Sequence, residues 1–208
     1  AALEEGIIDP ETSISSSGAL VIENKYGGPD TVFRDWKKHG YVNMRQAIAA
    51  SSDEYFYQIG GGYKDQPGLG IKRLKEYAEK FGFATTSGID LPGEEYGVIP
   101  SPEWKMKLFE EDWLVGNTYH SSIGQYGFQV TPLELVRAVA SIANGGYLVR
   151  PHVLKGAETQ VQDINLNQKH LKVVQEGMRM AVIGDIGTGK GLQISGVEIA
   201  AKSGTAEL

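Results

Sequence analysis

Two short groups of side chains in this sequence have residue types that can do chemistry. Ser51-Ser52-Asp53 puts two hydroxyls and a carboxylate at a point where a helical pattern breaks. Lys202-Ser203-Gly204-Thr205 puts an ammonium, two hydroxyls and a side-chain-free position after a run of small and branched residues, Val197 to Ala201. A serine hydroxyl is a poor nucleophile or proton carrier until a base or cation lies beside it. A glycine in an extended segment lets another backbone lie close. Singly, each group has a plainer explanation. Ser, Ser and Asp are good helix N-caps, and a Lys-Ser-Gly end is ordinary at a solvated strand terminus.

Other groups have weaker chemistry. Gly184-Asp-Ile-Gly-Thr-Gly189-Lys190 has the spacing of a phosphate-binding loop, but Gly191 stands where such a loop needs Ser or Thr, and a helix precedes it where a strand should. A glycine turn between elements explains it better. The histidines, His39, His120, His152 and His170, are not spaced at three or four residues, so metal-ligand spacing is missing. Glu94-Glu95 and Glu110-Glu111-Asp112 fall in loop-like stretches, where solvated carboxylates are the ordinary outcome. Cysteine is absent, which excludes a disulfide frame, a thiolate metal site and a thiol nucleophile.

The elements that must position the two groups follow from periodicity. Met44, Ala47 and Ile48 share one face of a helix over 43–50; after the break at Ser51-Ser52-Asp53, Tyr55, Phe56 and Ile59 resume the pattern. A clearer amphipathic helix covers 69–81, with Leu69, Leu74, Tyr77, Ala78 and Phe81 inside. Thr131-Pro132-Leu133-Glu134 starts a helix that Gly145-Gly146 ends. A further helix fits 168–183, with Leu171, Val174, Met178 and Val182 on one side. Residues 1–5 read as a last helical turn, 14–22, 147–154 and 197–201 as strands, and 23–40 and 84–105 as loops. Helices fill the middle and strands lie toward the ends, which predicts an α+β fold rather than alternating βαβ units.

Composition narrows the function classes. Charged residues make up 22% and hydrophobic ones 41%, which is globular rather than disordered. Net charge is −6, so the basic face of a nucleic-acid binder is not expected. No apolar run reaches membrane-span length, so this segment is not expected to contact a membrane. The 27 glycines in 208 residues exceed the usual share of about 7% and predict many turns and close backbone approaches.

Longer stretches around the two groups resemble class B penicillin-binding proteins. Residues 34–57, from Arg34-Asp-Trp-Lys through Arg45-Gln-Ala-Ile to Tyr57, carry the strongest likeness. Phe81-Gly-Phe83, Ser87-Gly-Ile-Asp-Leu-Pro-Gly-Glu94, Trp113 with Gly116-Asn-Thr118, Ser122-Ile-Gly-Gln125, Thr131-Pro-Leu-Glu-Leu135, Ala143-Asn-Gly-Gly146 and Ala201-Lys-Ser-Gly-Thr-Ala206 follow in the family's order. The Asp-Trp-Lys stretch, and Asp53 where most relatives have Asn, resemble the elongation-type, cell-shape subgroup. The resemblance covers nearly the whole chain. It implies a serine β-lactamase/transpeptidase-like α+β fold, an antiparallel sheet covered by helices plus a mainly helical part, and a role in cross-linking peptidoglycan.

By that resemblance a serine acyl-enzyme forms on D-Ala-D-Ala stem peptides, and β-lactams mimic the dipeptide. Ser51 would pass a proton to the leaving nitrogen. Asp53 would hold neighbouring ammonium groups and favour their charged form. Lys202 would supply positive field and help shift its neighbours' pKa values. Ser203 and Thr205 hydroxyls would bind substrate carboxylate, the Thr205 N–H would form half of an oxyanion hole, and Gly204 would leave room for a substrate strand. The family needs no cofactor or metal. Its partners would be stem peptides, β-lactams and other cell-wall elongation proteins, on the extracytoplasmic face of the inner membrane.

Three departures qualify this. No S-x-x-K occurs in the 208 residues, and Ser101-Pro-Glu-Trp-Lys105 has one residue too many and reads as loop. Nucleophile and base are therefore expected upstream, further strands downstream, and residues 1–208 are expected to be an incomplete, inactive part of the domain. Tyr126-Gly127 follows Gln125 where many relatives have Gly directly. A β-lactam sensor and a class D-like β-lactamase are the alternatives on the same fold.

Overall fold

The structure is a computed structural model that describes residues 1–205. The element order is β1 (Ile14–Ser16), β2 (Ala19–Ile22), β3 (Thr31–Arg34), β4 (Gly40–Val42), α1 (Met44–Ala50), α2 (Asp53–Gly61), α3 (Gly70–Lys80), α4 (Pro102–Phe109), α5 (Val115–Ser122), α6 (Pro132–Ala143), β5 (Tyr147–Arg150), β6 (Gln160–Asp163) and α7 (Gln168–Ile183). The strands pair antiparallel as three two-stranded ladders among the described residues: β1 with β4, β2 with β3, and β5 with β6. Mixed helices and short antiparallel ladders agree with the expected α+β class.

The helices form where caps and apolar faces coincide. Asn43 and Gln46 exchange backbone and side-chain hydrogen bonds at the start of α1. Thr131 and Glu134 do the same at α6, with Pro132 at the first helical position. Glu134 also takes both oxygens to the Gly97 N–H, which ties the preceding loop to the helix. α1 packs across α7, burying Met44, Ala47 and Ile48 with Ile14, Tyr55, Ile59 and Val173. A second cluster joins Leu20, Phe33, Tyr57 and Tyr119.

A buried carboxylate fixes the break between α1 and α2. Asp35, at the end of the β2–β3 hairpin, has a fully buried side chain. Its Oδ2 accepts from the Ser52 hydroxyl at 2.8 Å, the Glu54 N–H at 3.0 Å and the Ser16 hydroxyl at 3.3 Å. Its Oδ1 accepts from the Trp36 N–H and lies 3.3 Å from His39 Nε2. A buried charge is tolerable only with several such donors. Here they come from β1, the loop before β4 and the first turn of α2. Ser52 also caps α2.

Several local expectations are corrected. The stretch 14–22 is two strands, because Gly18 at φ +104° turns the chain between them. The expected loop 23–40 contains β3, whose alternating pattern is short and mostly exposed. The expected loop 84–105 ends in α4: Ser101 accepts from Trp104 N–H as its N-cap and Pro102 opens it. Val197–Ala201 forms no strand among the described residues; an isolated bridge joins Ile194 and Val197. Nothing in the periodicity signalled α5 or β6. Residues 1–5 are a hydrogen-bonded turn, with Glu5 N–H on the Ala1 carbonyl.

The α1–α7 crossing generates one prediction. A Cβ on Gly177 would lie 2.9 Å from Ile48 Cβ and 3.1 Å from the Arg45 carbonyl. Alanine normally improves a helix interior by about 0.5–1 kcal/mol over glycine. Gly177→Ala should instead destabilise by about 1–3 kcal/mol through overpacking, read from chemical denaturation. The buried carboxylate generates a second. Asp35→Ala leaves hydroxyl and amide donors without acceptors at about 1–3 kcal/mol each, so Tm should fall by roughly 6 °C or more. Asp35→Asn, which keeps one acceptor oxygen, should lose less.

Candidate active site

Ser51 sits between α1 and α2 in the left-handed region, at φ 55° and ψ 49°. A non-glycine residue there is uncommon, and the surrounding structure must hold it. Two sets of bonds do so. The Ser51 and Ser52 N–H groups close the end of α1 on Ile48 and Ala47 carbonyls. The Trp36 indole N–H reaches the Ala50 carbonyl at 3.2 Å and the Ser51 carbonyl at 3.0 Å. Ser52, its neighbour, is fully buried and belongs to the Asp35 network. Ser51 keeps partial exposure, so of the two hydroxyls its own is the one near the surface.

Lys202 arrives from the far end of the chain. Its Nζ donates to Ser51 Oγ at 2.7 Å and to the Ser203 carbonyl at 2.8 Å. The segment leading to it is tied to α7: Ala201 N–H bonds the Met178 carbonyl and the Arg179 guanidinium bonds the Ile199 carbonyl. The Ser203 hydroxyl shares a hydrogen with Thr188 Oγ1 at 2.9 Å. Thr188 in turn bonds the Ala49 carbonyl through its N–H. The Thr205 carbonyl accepts from the Gln125 amide at 2.8 Å. A Cβ on Gly204 would meet no atom of the described residues within 4 Å.

Electrostatics favour a tunable ammonium. Desolvation by surrounding protein is the largest influence on Lys202 and lowers its pKa, although part of its side chain is exposed. The Asp53 carboxylate, at the first residue of α2, acts in the opposite direction. An ammonium donating to a serine oxygen withdraws electron density from it and leaves that hydroxyl's own proton directed elsewhere.

All six sequence-predicted site residues lie on the two segments that meet here: Ser51 and Asp53 on one, Lys202 to Thr205 on the other. Trp36, Asp35, Thr188 and Gln125 were not singled out as site residues. Thr188 lies within Gly184–Lys190, and the structure assigns that loop a supporting part. The Gly189 N–H bonds the Ala181 carbonyl, and a 3-10 turn at Lys190–Leu192 follows where a phosphate loop needs a helix. Of the histidines, His39 is buried on Asp35, His170 pairs with Glu4, His120 stacks on Phe33, and His152 lies on a loop at the surface. Glu94 accepts from the Ser87 and Gly88 N–H groups. Glu111 pairs with the buried Lys105 ammonium at 3.1 Å, so that carboxylate is not merely solvated. Lys105 is therefore a tether inside a helix, not part of a serine–lysine pair in a loop: it also reaches the Asp112 carbonyl and Asn117 Oδ1. The described residues contain no group of three or more acidic or histidine side chains placed to hold a metal.

Comparison with known proteins agrees with this geometry. The profile of the penicillin binding protein transpeptidase domain matches residues 1–208. The peptidoglycan D,D-transpeptidase MrdA of Acinetobacter baumannii is 39% identical over 99% of this chain and 31% of its own length. MrdA of Escherichia coli K12 is 31% identical over the whole chain and 33% of its own length. The chain thus spans about a third of these relatives. PBP2 of Helicobacter pylori, solved in complex with MreC, superposes at TM-score 0.86 with 32% identity, over 100% of this chain and 38% of that one. PBP2 of Pseudomonas aeruginosa superposes at 0.86 with 32% identity, over 100% and 47%. The two motifs, their meeting point and this shared architecture have one reading: the chain belongs to the penicillin-binding protein transpeptidase family, in its elongation-type class B branch.

Proposed function

We propose that this chain supplies two of the three catalytic motifs of a serine D-Ala-D-Ala transpeptidase, and that the whole protein cross-links peptidoglycan stem peptides. The observation that carries the proposal is the 2.7 Å contact between Lys202 Nζ and Ser51 Oγ, made across most of the chain. The nucleophilic Ser and basic Lys of S-x-x-K are not among these 208 residues, so the chain by itself is inactive on this reading.

The nucleophilic serine oxygen bonds to the carbonyl carbon of the penultimate D-Ala, and the bond to the terminal D-Ala nitrogen breaks. The serine proton passes through the Ser51 hydroxyl to that leaving nitrogen. Lys202 holds the Ser51 oxygen and lowers the energy of negative charge as it develops in the cleft. Ser203 and Thr205 hydroxyls take the substrate carboxylate, the Thr205 N–H donates to the oxyanion, and the substrate backbone lies along Gly204. An amine of a second stem peptide then attacks the acyl carbon and releases the serine. A β-lactam enters the same way, but its leaving nitrogen stays tethered after ring opening, so the acyl-enzyme persists. Asp53 keeps Lys202 charged against its desolvation.

The partners on this reading are other cell-wall elongation proteins, in line with the relative solved with MreC. The location is the extracytoplasmic face of the inner membrane, with any anchor outside these residues. No described helix is long and apolar enough to cross a membrane.

Two measurements on the whole protein test this. Lys202→Ala should slow acylation by a fluorescent penicillin about 100-fold or more; an unchanged rate would refute the role. Persistence of the wild-type adduct supports a transpeptidase, and rapid turnover supports a β-lactamase. The acylation rate should also fall on the alkaline side before an ordinary lysine titrates, because the Lys202 pKa is lowered. Asp53→Asn removes the influence that raises it, so the limb should move to lower pH. Lys202→Arg, which does not titrate in this range, should remove the limb.

A further inference from the structure

A cluster of cations lies in a different part of the chain. A cavity of 380 Å³ opens between the end of α3, the loop after it, α6 and the β5–β6 ladder. Its lining contains Lys80, Arg137 and Arg150 against the single acid Glu79. Glu79 already faces Lys75 one helical turn away, at 3.9 Å. The other polar residues of the lining are neutral: Thr85, Thr86, Ser87, Gln160 and Gln162.

Arg137 is the unusual member. Its Nε donates to the Val149 carbonyl at 3.0 Å, but its Nη1 is buried and has no hydrogen-bond partner. A guanidinium has five donors in a rigid fork, and a buried one without an acceptor is uncommon and unfavourable. Two nearby carboxylates affect it only at a distance. Glu94 is engaged by the Ser87 and Gly88 N–H groups, and Glu134 by the Gly97 and Thr131 N–H groups. Gly82 packs closely over it: a Cβ there would lie 3.0 Å from a Leu148 methyl and 3.3 Å from Nη1. Arg150 spans the opposite wall, with Nη1 on Gln160 Oε1 at 3.0 Å and Nε on the Gly88 carbonyl.

We propose that this cavity binds an oxyanion-bearing ligand, a carboxylate or a phosphate, between Arg137, Arg150 and Lys80. Two guanidinium groups with an ammonium and hydroxyls around them are the donor set that such groups accept from. Arg137 contributes its positive charge to the cavity wall, since its buried Nη1 does not itself open into the cavity. None of Ser51, Asp53 or Lys202 to Thr205 lines the cavity, so the site does not depend on the transpeptidase reading.

The test is calorimetric titration of the purified protein with inorganic phosphate and, separately, with succinate, against sodium chloride at equal ionic strength. At least one should bind saturably, and which one does assigns the ligand to the phosphate or the carboxylate class. Arg150→Gln and Lys80→Gln should each weaken binding at least tenfold; Lys80→Gln, at an exposed position, should leave Tm unchanged, whereas Arg150→Gln also gives up the bonds to Gly88 and Gln160. Arg137→Gln should abolish it, and Lys202→Ala should not affect it. Absence of saturable binding by either anion overturns the proposal. So does binding that survives Arg150→Gln and Lys80→Gln.

Discussion

The Asp35 carboxylate is the constraint on which the rest of this structure depends. A charge without solvent contact is unfavourable by several kcal/mol unless donors replace its water. Five protein groups gather around it, from β1, from the loop after β3 and from the start of α2. Because Ser52 and the Glu54 N–H must both face it, α2 cannot simply continue α1. The chain breaks at Ser51, and a non-glycine residue is held at positive φ. The backbone strain at this position, of order 1–3 kcal/mol, is offset by the charge-assisted bonds one residue later. A neutral side chain at Asp35 would leave Ser52 and the Glu54 N–H without this acceptor, and the break would rest only on the α1 end bonds and the Trp36 indole.

The other side of the Ser51–Lys202 contact is held by a different device. Lys202 is not in a described strand, so sheet pairing does not locate it. Its segment is fixed to α7 by the Ala201–Met178 and Arg179–Ile199 bonds, and Thr188 links the Ser203 hydroxyl to the Ala49 carbonyl. α7 itself packs across α1 through Gly177. Both sides of the Ser51–Lys202 contact therefore trace to the same pair of helices. That explains how two segments so distant in sequence hold a 2.7 Å contact on an exposed surface, where an isolated pair would be worth little.

Much of this was legible in the sequence, and the limits have physical causes. The helices with clear faces, α1, α2, α3, α6 and α7, were readable because apolar spacing and caps agree over several turns. The pairing of Ser51 with Lys202 was readable only through the family resemblance, since no local signal connects residues 151 positions apart. α5 was missed because Val115-Gly-Asn-Thr-Tyr-His-Ser-Ser has neither a periodic face nor a conventional cap. α4 was missed because Pro100 and Pro102 suggested loop, although Ser101-Pro102 is a helix start of the kind recognised at Thr131-Pro132. Asp35 was not singled out as decisive. A lone Asp between a strand and a Trp carries no sign that its side chain will be buried.

Asp53 and Lys202 set a balance that neither residue reaches alone. Surrounding protein makes the Lys202 ammonium less favourable, and a neighbouring carboxylate makes it more so. If desolvation acted unopposed, the amine would tend to neutrality and donate only weakly to Ser51. If the carboxylate acted unopposed, the ammonium would hold its proton strongly and be closely matched to a charge already present in the ground state. Catalysis gains only from interactions that strengthen as charge develops. On the proposed reading, a lysine under these two opposing influences beside Ser51 is placed to respond to that developing charge, and the opposing carboxylate stands at the first turn of α2. The same turn begins with Ser52 and Glu54 on Asp35, so the buried network that breaks the helix also fixes where Asp53 stands.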